Sequence, residues 1–296
     1  MGLYAVKFSK RLRYGLQFVL VLCVVMLVGL SGSRGVAQTV DRPIPSTGDF
    51  VRDTLNAPVC PAQLGSFIDE IIRQPAVADG RWGVVVESAS TSEPLYNHNS
   101  EDFLIPASNI KLFTTAAALQ LLDLNTSTGR STWEPRIRII NGNSDNSSAD
   151  ALLARIGGTR AVQDTLLQLG IDPASYRQVD GSGLSRNNIA QPKAFVNLLK
   201  AMRSASGGDI FYQSLPVGGV SGTLRNRFRG TPVAGKVHAK TGTLNGVRAL
   251  SGYLEHPDYE ELMFSIVVNQ PGQSGSVLLQ AIDQIVVQLA RVSVCE

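Results

Sequence analysis

The 296-residue sequence predicts an α/β (α+β) sandwich, an antiparallel sheet with the terminal helices on one face and a helical lobe inserted between its strands. Three observations predict it. Trp82 to Ser88 is a short, valine-rich apolar run of the kind a buried strand requires. Val237 to Thr243, Arg248 to Leu254 and Leu262 to Asn269 are three more such runs in close succession. The long stretch between these groups is dominated by helical spacing, and a helical segment closes the chain.

The N-terminus stands apart from that core. Lys7, Lys10, Arg11 and Arg13 precede an apolar run from Gly15 to Leu30, followed by the small and polar residues Ser31 to Ala37. This is the pattern of a secretory signal peptide, residues 1–37, with Gly35 and Ala37 at the −3 and −1 positions of the cleavage site. An uncleaved anchor is the other reading, but the run is short against the roughly 20 residues of a membrane span. Residues 38–59, rich in Pro, Thr, Asp and Ser without a period, read as a linker. Residues 60–296 then form a single domain.

Export changes the charge and cysteine arguments. The formal charge of +3 owes its sign to the signal, which holds five basic residues and no acid; 22 basic and 24 acidic residues follow it. Nothing in that balance suits a nucleic-acid partner. Cys23 leaves with the signal, and Cys60 and Cys295 remain, one near each end. In an oxidising compartment an even count predicts a Cys60–Cys295 disulfide tying the first helix to the last. No C-x-x-C spacing or histidine cluster predicts a metal site, and no cofactor is implied.

Taken in order, Pro61 to Gln74 carries apolar residues at helical spacing, with proline near its start. Pro94 to Asn97 is the candidate hairpin partner of the Trp82–Ser88 strand. Ile110 to Leu122 is a helix apolar all round. Ala149 to Ile156, Thr159 to Leu169 and Gln191 to Arg203 are further helices, and Ser276 to Val292 is the last. Asp123 to Trp133 has room for little more than a loop.

Three short motifs carry chemistry. Ser108 and Lys111 stand three apart at the start of the Ile110–Leu122 helix, so their side chains share a face. A helix N-terminus and burial both disfavour an ammonium there and push Lys111 toward the neutral amine a general base must be. Ser144-Asp145-Asn146 sits on a loop ahead of a helix capped by Ser147 or Ser148. Lys240-Thr241-Gly242-Thr243 lies in a strand, with Lys240 and Gly242 on one face and Gly242 leaving room for a ligand to approach the backbone. Each motif alone also suits a bland role: a solvated helix face, a turn, an edge-strand lysine. Together, in this order, they are the triplet of penicillin-binding proteins and class A β-lactamases.

Longer strings narrow the resemblance. Asp180 to Asn188, Ser214 to Leu224 and Gly235 to Leu244 resemble signatures of the penicillin-binding D-alanyl-D-alanine carboxypeptidase/endopeptidase family, and the likeness spans roughly Cys60 to Val294. It implies a sandwich of the penicillin-recognising serine-enzyme (β-lactamase/transpeptidase-like) type. It also implies that Ser108 is the acylated nucleophile, Lys111 its base and Ser144 the proton donor to the leaving D-alanine. Asn146 would hold the substrate amide and Lys111. Lys240, Thr241 and Thr243 would bind the terminal carboxylate, with Lys240 also helping to keep Lys111 neutral. The N–H groups of Ser108 and Thr243 would form the oxyanion hole. The partners implied are peptidoglycan stem peptides as substrate and β-lactams as inhibitors, in the periplasm or at the outer face of the cytoplasmic membrane, which the chain would touch only through an uncleaved signal.

The sequence departs from that family in one respect. Its members carry one or two further domains between the first two motifs, whereas Ser108 and Ser144 are only 36 residues apart here. A D,D-endopeptidase, or a weakly active or inactive protein that binds peptidoglycan or penicillin, therefore remains an alternative. A β-lactamase needs a carboxylate poised on water, and no Glu lies between Ser144 and Lys240. For a Ser-His-Asp hydrolase, His238, two residues before Lys240, could face the site, but no G-x-S-x-G elbow is present.

Overall fold

The computed structural model describes residues 59–91, 94–124 and 126–295; the signal peptide and the linker as far as Pro58 lie outside them. Helix α1, Pro61–Ile72, leads into strands β1, Arg81–Ser88, and β2, Pro94–His98. A 3-10 turn, Ala107–Ile110, then runs into α2, Lys111–Leu121. Helices α3, Ser127–Gly142, α4, Asn146–Arg155, and α5, Gly158–Gln168, follow. The two-residue strands β3, Tyr176–Arg177, and β4, Ile189–Ala190, precede α6, Pro192–Ser204, and α7, Gly208–Ser214. Strands β5, Val237–Leu244, β6, Val247–His256, and β7, Glu260–Asn269, and helix α8, Gly275–Leu289, complete the chain.

Five strands form one antiparallel sheet in the order β2-β1-β7-β6-β5. Alternation along the strands gives that sheet two apolar faces. Val84, Val86, Leu250, Leu254, Phe264 and Ile266 are buried against α1 and α8, whose apolar stripes include Leu64, Ile68, Ile282 and Ile285. Val85, Tyr253 and Met263 point the other way, into a second core built from the helical lobe. The terminal helices thus lie on one face and the lobe on the other, as the sequence pattern predicts.

Helix α2 is the axis of the lobe. Every residue from Lys111 to Leu119 is buried, which explains an apolar composition without a polar stripe. Phe113 meets the Tyr176 ring at 4.4 Å and stacks on Phe195 at 4.8 Å, between centroids.

The loop expected over Asp123–Trp133 is instead largely helical. Thr126 caps α3 by accepting from the Gly129 N–H at 3.0 Å, and the helix buries Trp133, Ile137 and Ile140. The β-branched residues and the internal Pro135 weaken its local helical signal, so burial of this one face carries it. Val59, assigned above to the linker, is buried and pairs with Val292.

Cys60 and Cys295 are joined by a disulfide. It closes the chain where α1 begins and beyond the end of α8, next to the Val59–Val292 bridge. Replacing both cysteines by serine should lower stability by about 2–5 kcal/mol. Thermal unfolding with and without reductant checks this: reductant should lower the Tm of the parent and leave that of the double variant unmoved.

Candidate active site

The turn that carries Ser108 is held under strain. Ala107, immediately before it, has φ of 49°, a left-handed conformation unusual for alanine. Neighbours on several sides fix it. Asn269 accepts from the Ile105 N–H at 2.8 Å and donates to its carbonyl at 3.0 Å. Asn109 Nδ2 donates to Ser251 Oγ at 2.7 Å, and Ser251 bonds Ser265 on the next strand at 2.8 Å. Gly242 and Gly183 press against the turn backbone; a Cβ on either would overlap the carbonyl oxygen of Pro106 or Ala107. Gly242, expected to admit a ligand, therefore first admits the protein's own backbone, because β5 runs directly beside the turn that carries Ser108.

Lys111 is fully buried one turn on. Its Nζ lies 2.9 Å from Ser108 Oγ and 2.8 Å from Asn146 Oδ1, and it also donates to the Ser182 carbonyl. Burial pushes its pKa down to about 8, against the opposing pull of Asp150, Asp180 and Asp145. Burial thus brings the amine within reach of neutrality, and the repulsion between the two lysines, expected to act on Lys111, lowers Lys240 instead.

Asp145, rather than Ser147 or Ser148, caps α4, accepting from the Ser148 N–H at 2.7 Å. Ser144, on the loop ahead of that cap, has φ of 60°. Its Oγ accepts from Lys240 Nζ at 2.8 Å, and the same nitrogen donates to the Thr241 carbonyl at 3.0 Å. Complete burial, aided by repulsion from Lys111, pushes Lys240 well below the ordinary lysine range. Thr241 Oγ1 donates to Thr223 Oγ1 at 2.8 Å.

These elements meet around a cavity of about 320 Å³ lined by Ser108, Ser144, Asn146, Thr241, Gly242 and Thr243 among others. The two lysines lie behind that wall. His238 does not reach the cavity; it stacks on Tyr212 at 4.5 Å and lies 3.5 Å from Glu255. The arrangement is that of a hydroxyl nucleophile with an adjacent base, and a second hydroxyl bonded to a second amine.

The motifs alone do not reveal the support beneath Lys111. Ser182 offers its backbone carbonyl, and Asp150 accepts from the N–H groups of Gly181 and Ser182 at 2.8 and 2.9 Å. Asp180 accepts from Gly183 N, Ser185 N and Asn188 Nδ2 at 2.6, 2.7 and 2.9 Å. The Asp180–Asn188 string is the signal that marks this loop. Thr223 belongs to the Ser214–Leu224 string, and Arg227 and Arg248, which no motif marks, also line the cavity.

The sequence matches the profile of the D-Ala-D-Ala carboxypeptidase 3 (S13) family over residues 64–132 and 133–292. The chain belongs to that family. Among curated relatives of this S13 protein, a D-alanyl-D-alanine carboxypeptidase of Actinomadura sp. (strain R39) is 44% identical over 163 residues, covering 50% of this chain and 30% of the relative. A penicillin-sensitive carboxypeptidase A of Dictyostelium discoideum is 34% identical over 157 residues, covering 51% and 30%. The aligned segments thus span under a third of the relatives' length. In fold, the S13 chain resembles penicillin binding protein 4 (dacB) from Haemophilus influenzae, with a TM-score of 0.65, 14% identity and coverage of 75% and 99%. It also resembles the TLA-1 extended spectrum β-lactamase, with a TM-score of 0.64, 18% identity and coverage of 78% and 98%. These place the S13 chain in the penicillin-recognising sandwich fold.

Substituting Asp180→Ala in this S13 site removes the acceptor of two backbone N–H groups and the Asn188 amide. Stability should fall by about 2 kcal/mol or more. Acylation by a fluorescent penicillin should slow by on the order of tenfold to a hundredfold, because the Ser182 carbonyl shifts under Lys111. Denaturant melts and labelling time courses on the same preparation read the two effects separately.

Proposed function

We propose that this protein is a serine-type D-Ala-D-Ala carboxypeptidase acting on peptidoglycan stem peptides, exported to the periplasm or to the outer face of the cytoplasmic membrane. One observation carries the reading: Lys111 Nζ lies 2.9 Å from Ser108 Oγ while burial holds its pKa near 8, the pairing an activated serine needs.

Lys111 takes the hydroxyl proton as Ser108 Oγ attacks the carbonyl between the two D-alanines. The negative oxygen of the tetrahedral intermediate is held by the N–H groups of Ser108 and Thr243; losing one such donor typically costs about a hundred- to a thousandfold in rate. Ser144 passes a proton to the departing amine of D-alanine, and its bond to Lys240 connects it to a source. Asn146 orients the substrate amide and Lys111. Thr241 and Thr243 bind the terminal carboxylate through their hydroxyls. Water then releases the acyl-enzyme, restoring Ser108. β-Lactams acylate the same serine, and no Asp or Glu stands among the residues lining the cavity, which supports slow release of that adduct.

Two measurements test this. Fluorescent penicillin should label the purified protein with release of D-alanine from a D-Ala-D-Ala peptide, and Ser108→Ala should abolish labelling without altering the melting curve. Labelling without D-alanine release would favour an endopeptidase, and no labelling of folded protein would favour a binding protein. The labelling rate should also depend on pH. Lys111 accepts a proton only when neutral, so the rate should fall about tenfold per pH unit below pH 8 and level off above it.

A further inference from the structure

The resemblance assigns the charge that meets the substrate's terminal carboxylate to Lys240. The surroundings of Lys240 do not suit that task. It is fully buried and donates to Ser144 Oγ and the Thr241 carbonyl, both on the protein.

A different cation reaches the cavity. Arg248 on β6 is the direct cross-strand partner of Thr243, so the two side chains leave the sheet on the same face. Its Nη1 donates to the carbonyls of Leu244 and Val247 at 2.8 and 2.7 Å, which fixes the guanidinium plane. Nη2 is directed toward α8, where Gly275 leaves the space it occupies; a Cβ there would overlap it.

The charge of Arg248 is not neutralised by the protein. The neighbouring Arg227, also on the cavity wall, is held by Asp283, with Nε 3.0 Å from Oδ1. Among the described residues no carboxylate stands within ion-pair distance of Arg248. It lies instead beside a second guanidinium and the first residue of a 15-residue helix, whose N-terminus disfavours a cation. A partly buried guanidinium in that position lacks an anion, and the open side of its setting is the substrate cavity.

We infer that Arg248 is the charge-reading residue of this site: its guanidinium, beside the hydroxyls of Thr241 and Thr243, binds the terminal carboxylate of the D-Ala-D-Ala substrate and sets the preference for a free C-terminus. This rests on the carboxypeptidase reading above and adds to it a basis for exo-specificity. Lys240 then serves Ser144, and Arg248 recognises the chain end.

The test compares a D-Ala-D-Ala peptide ending in a free carboxylate with the same peptide ending in a carboxamide. The variant is Arg248→Gln, whose side-chain amide remains able to donate to a turn carbonyl. The acid-to-amide ratio of kcat/KM should fall about 10- to 100-fold, the range for losing one charge-assisted contact. Arg248→Lys should restore part of it. Equal losses on both peptides, or a ratio unchanged from the parent, would overturn the inference and leave Arg248 as a staple of the β5–β6 turn. Equilibrium binding of the two peptides to Ser108→Ala protein, with and without Arg248→Gln, reads the same preference without chemistry. A parent that never acylates yet binds the acid form in an Arg248-dependent way would sink the carboxypeptidase reading alone; acylation by a parent with no acid preference would sink the inference alone.

Discussion

Everything at this site depends on a buried amine with three partners of unequal kind. Lys111 Nζ meets Asn146 Oδ1, the Ser182 carbonyl and Ser108 Oγ. The first two oxygens only accept, whereas the serine hydroxyl can also donate. An ammonium fills all three bonds with its three N–H groups, so the charged form is tolerated in full burial. A neutral amine has two N–H groups and one lone pair. The two obligate acceptors take the N–H groups, and the lone pair is left facing the one partner that holds a proton to give. Losing a proton therefore turns Lys111 from a donor into an acceptor beside Ser108, whose hydroxyl has only to swing its proton from the Ser182 carbonyl, 3.3 Å away, onto the amine.

That economy requires the acceptors to stay still. The Ser182 carbonyl belongs to a loop whose backbone N–H groups are tied to Asp150 and Asp180. The Ser108 turn is fixed to the sheet through Asn109, Ser251 and Ser265, and through Asn269 on the last strand. Backbone strain at Ala107 persists because these bonds and the closely packed Gly183 and Gly242 leave it no alternative position. The sheet supplies the rigid plane, and its two apolar faces lock it between α1 and α8 on one side and the lobe on the other.

Much of this was legible in the residues. The strands near the C-terminus, helix α2 and the terminal helices α1 and α8 announce themselves by period and composition, and Ser108, Lys111, Ser144, Asn146, Lys240, Thr241, Gly242 and Thr243 lie together in one region. What escaped was either tertiary or carried by backbone. Helix α3 has a weak local signal, because Pro135 and β-branched residues dilute it, and only packing of Trp133, Ile137 and Ile140 sustains it. The Ser182 contribution is a carbonyl oxygen, which no side-chain motif encodes. Gly242 looked like room for a ligand, because a sequence does not say which backbone will approach. Arg248 lies eight residues beyond Lys240 in sequence, and only the β5–β6 register places it beside Thr243.

The short path from Ser108 to Ser144 follows from the same physics. Helix α2 leaves the Ser108 turn through the centre of the lobe, and α3 returns to the Ser144 loop. The return is pinned near its end: Asn141 Nδ2 donates to Thr115 Oγ1 on α2 at 3.2 Å and to Ser214 Oγ at the end of α7 at 2.8 Å. Both partners are buried, so this amide is held as firmly as the core around it. The family match breaks between residues 132 and 133, inside α3 and next to Trp133, whose indole anchors the helix to the lobe. Two helices and one buried amide are thus enough to bring Ser144 and Asn146 to Ser108 and Lys111. Whatever further length the relatives possess, the placement of these two side chains does not need it.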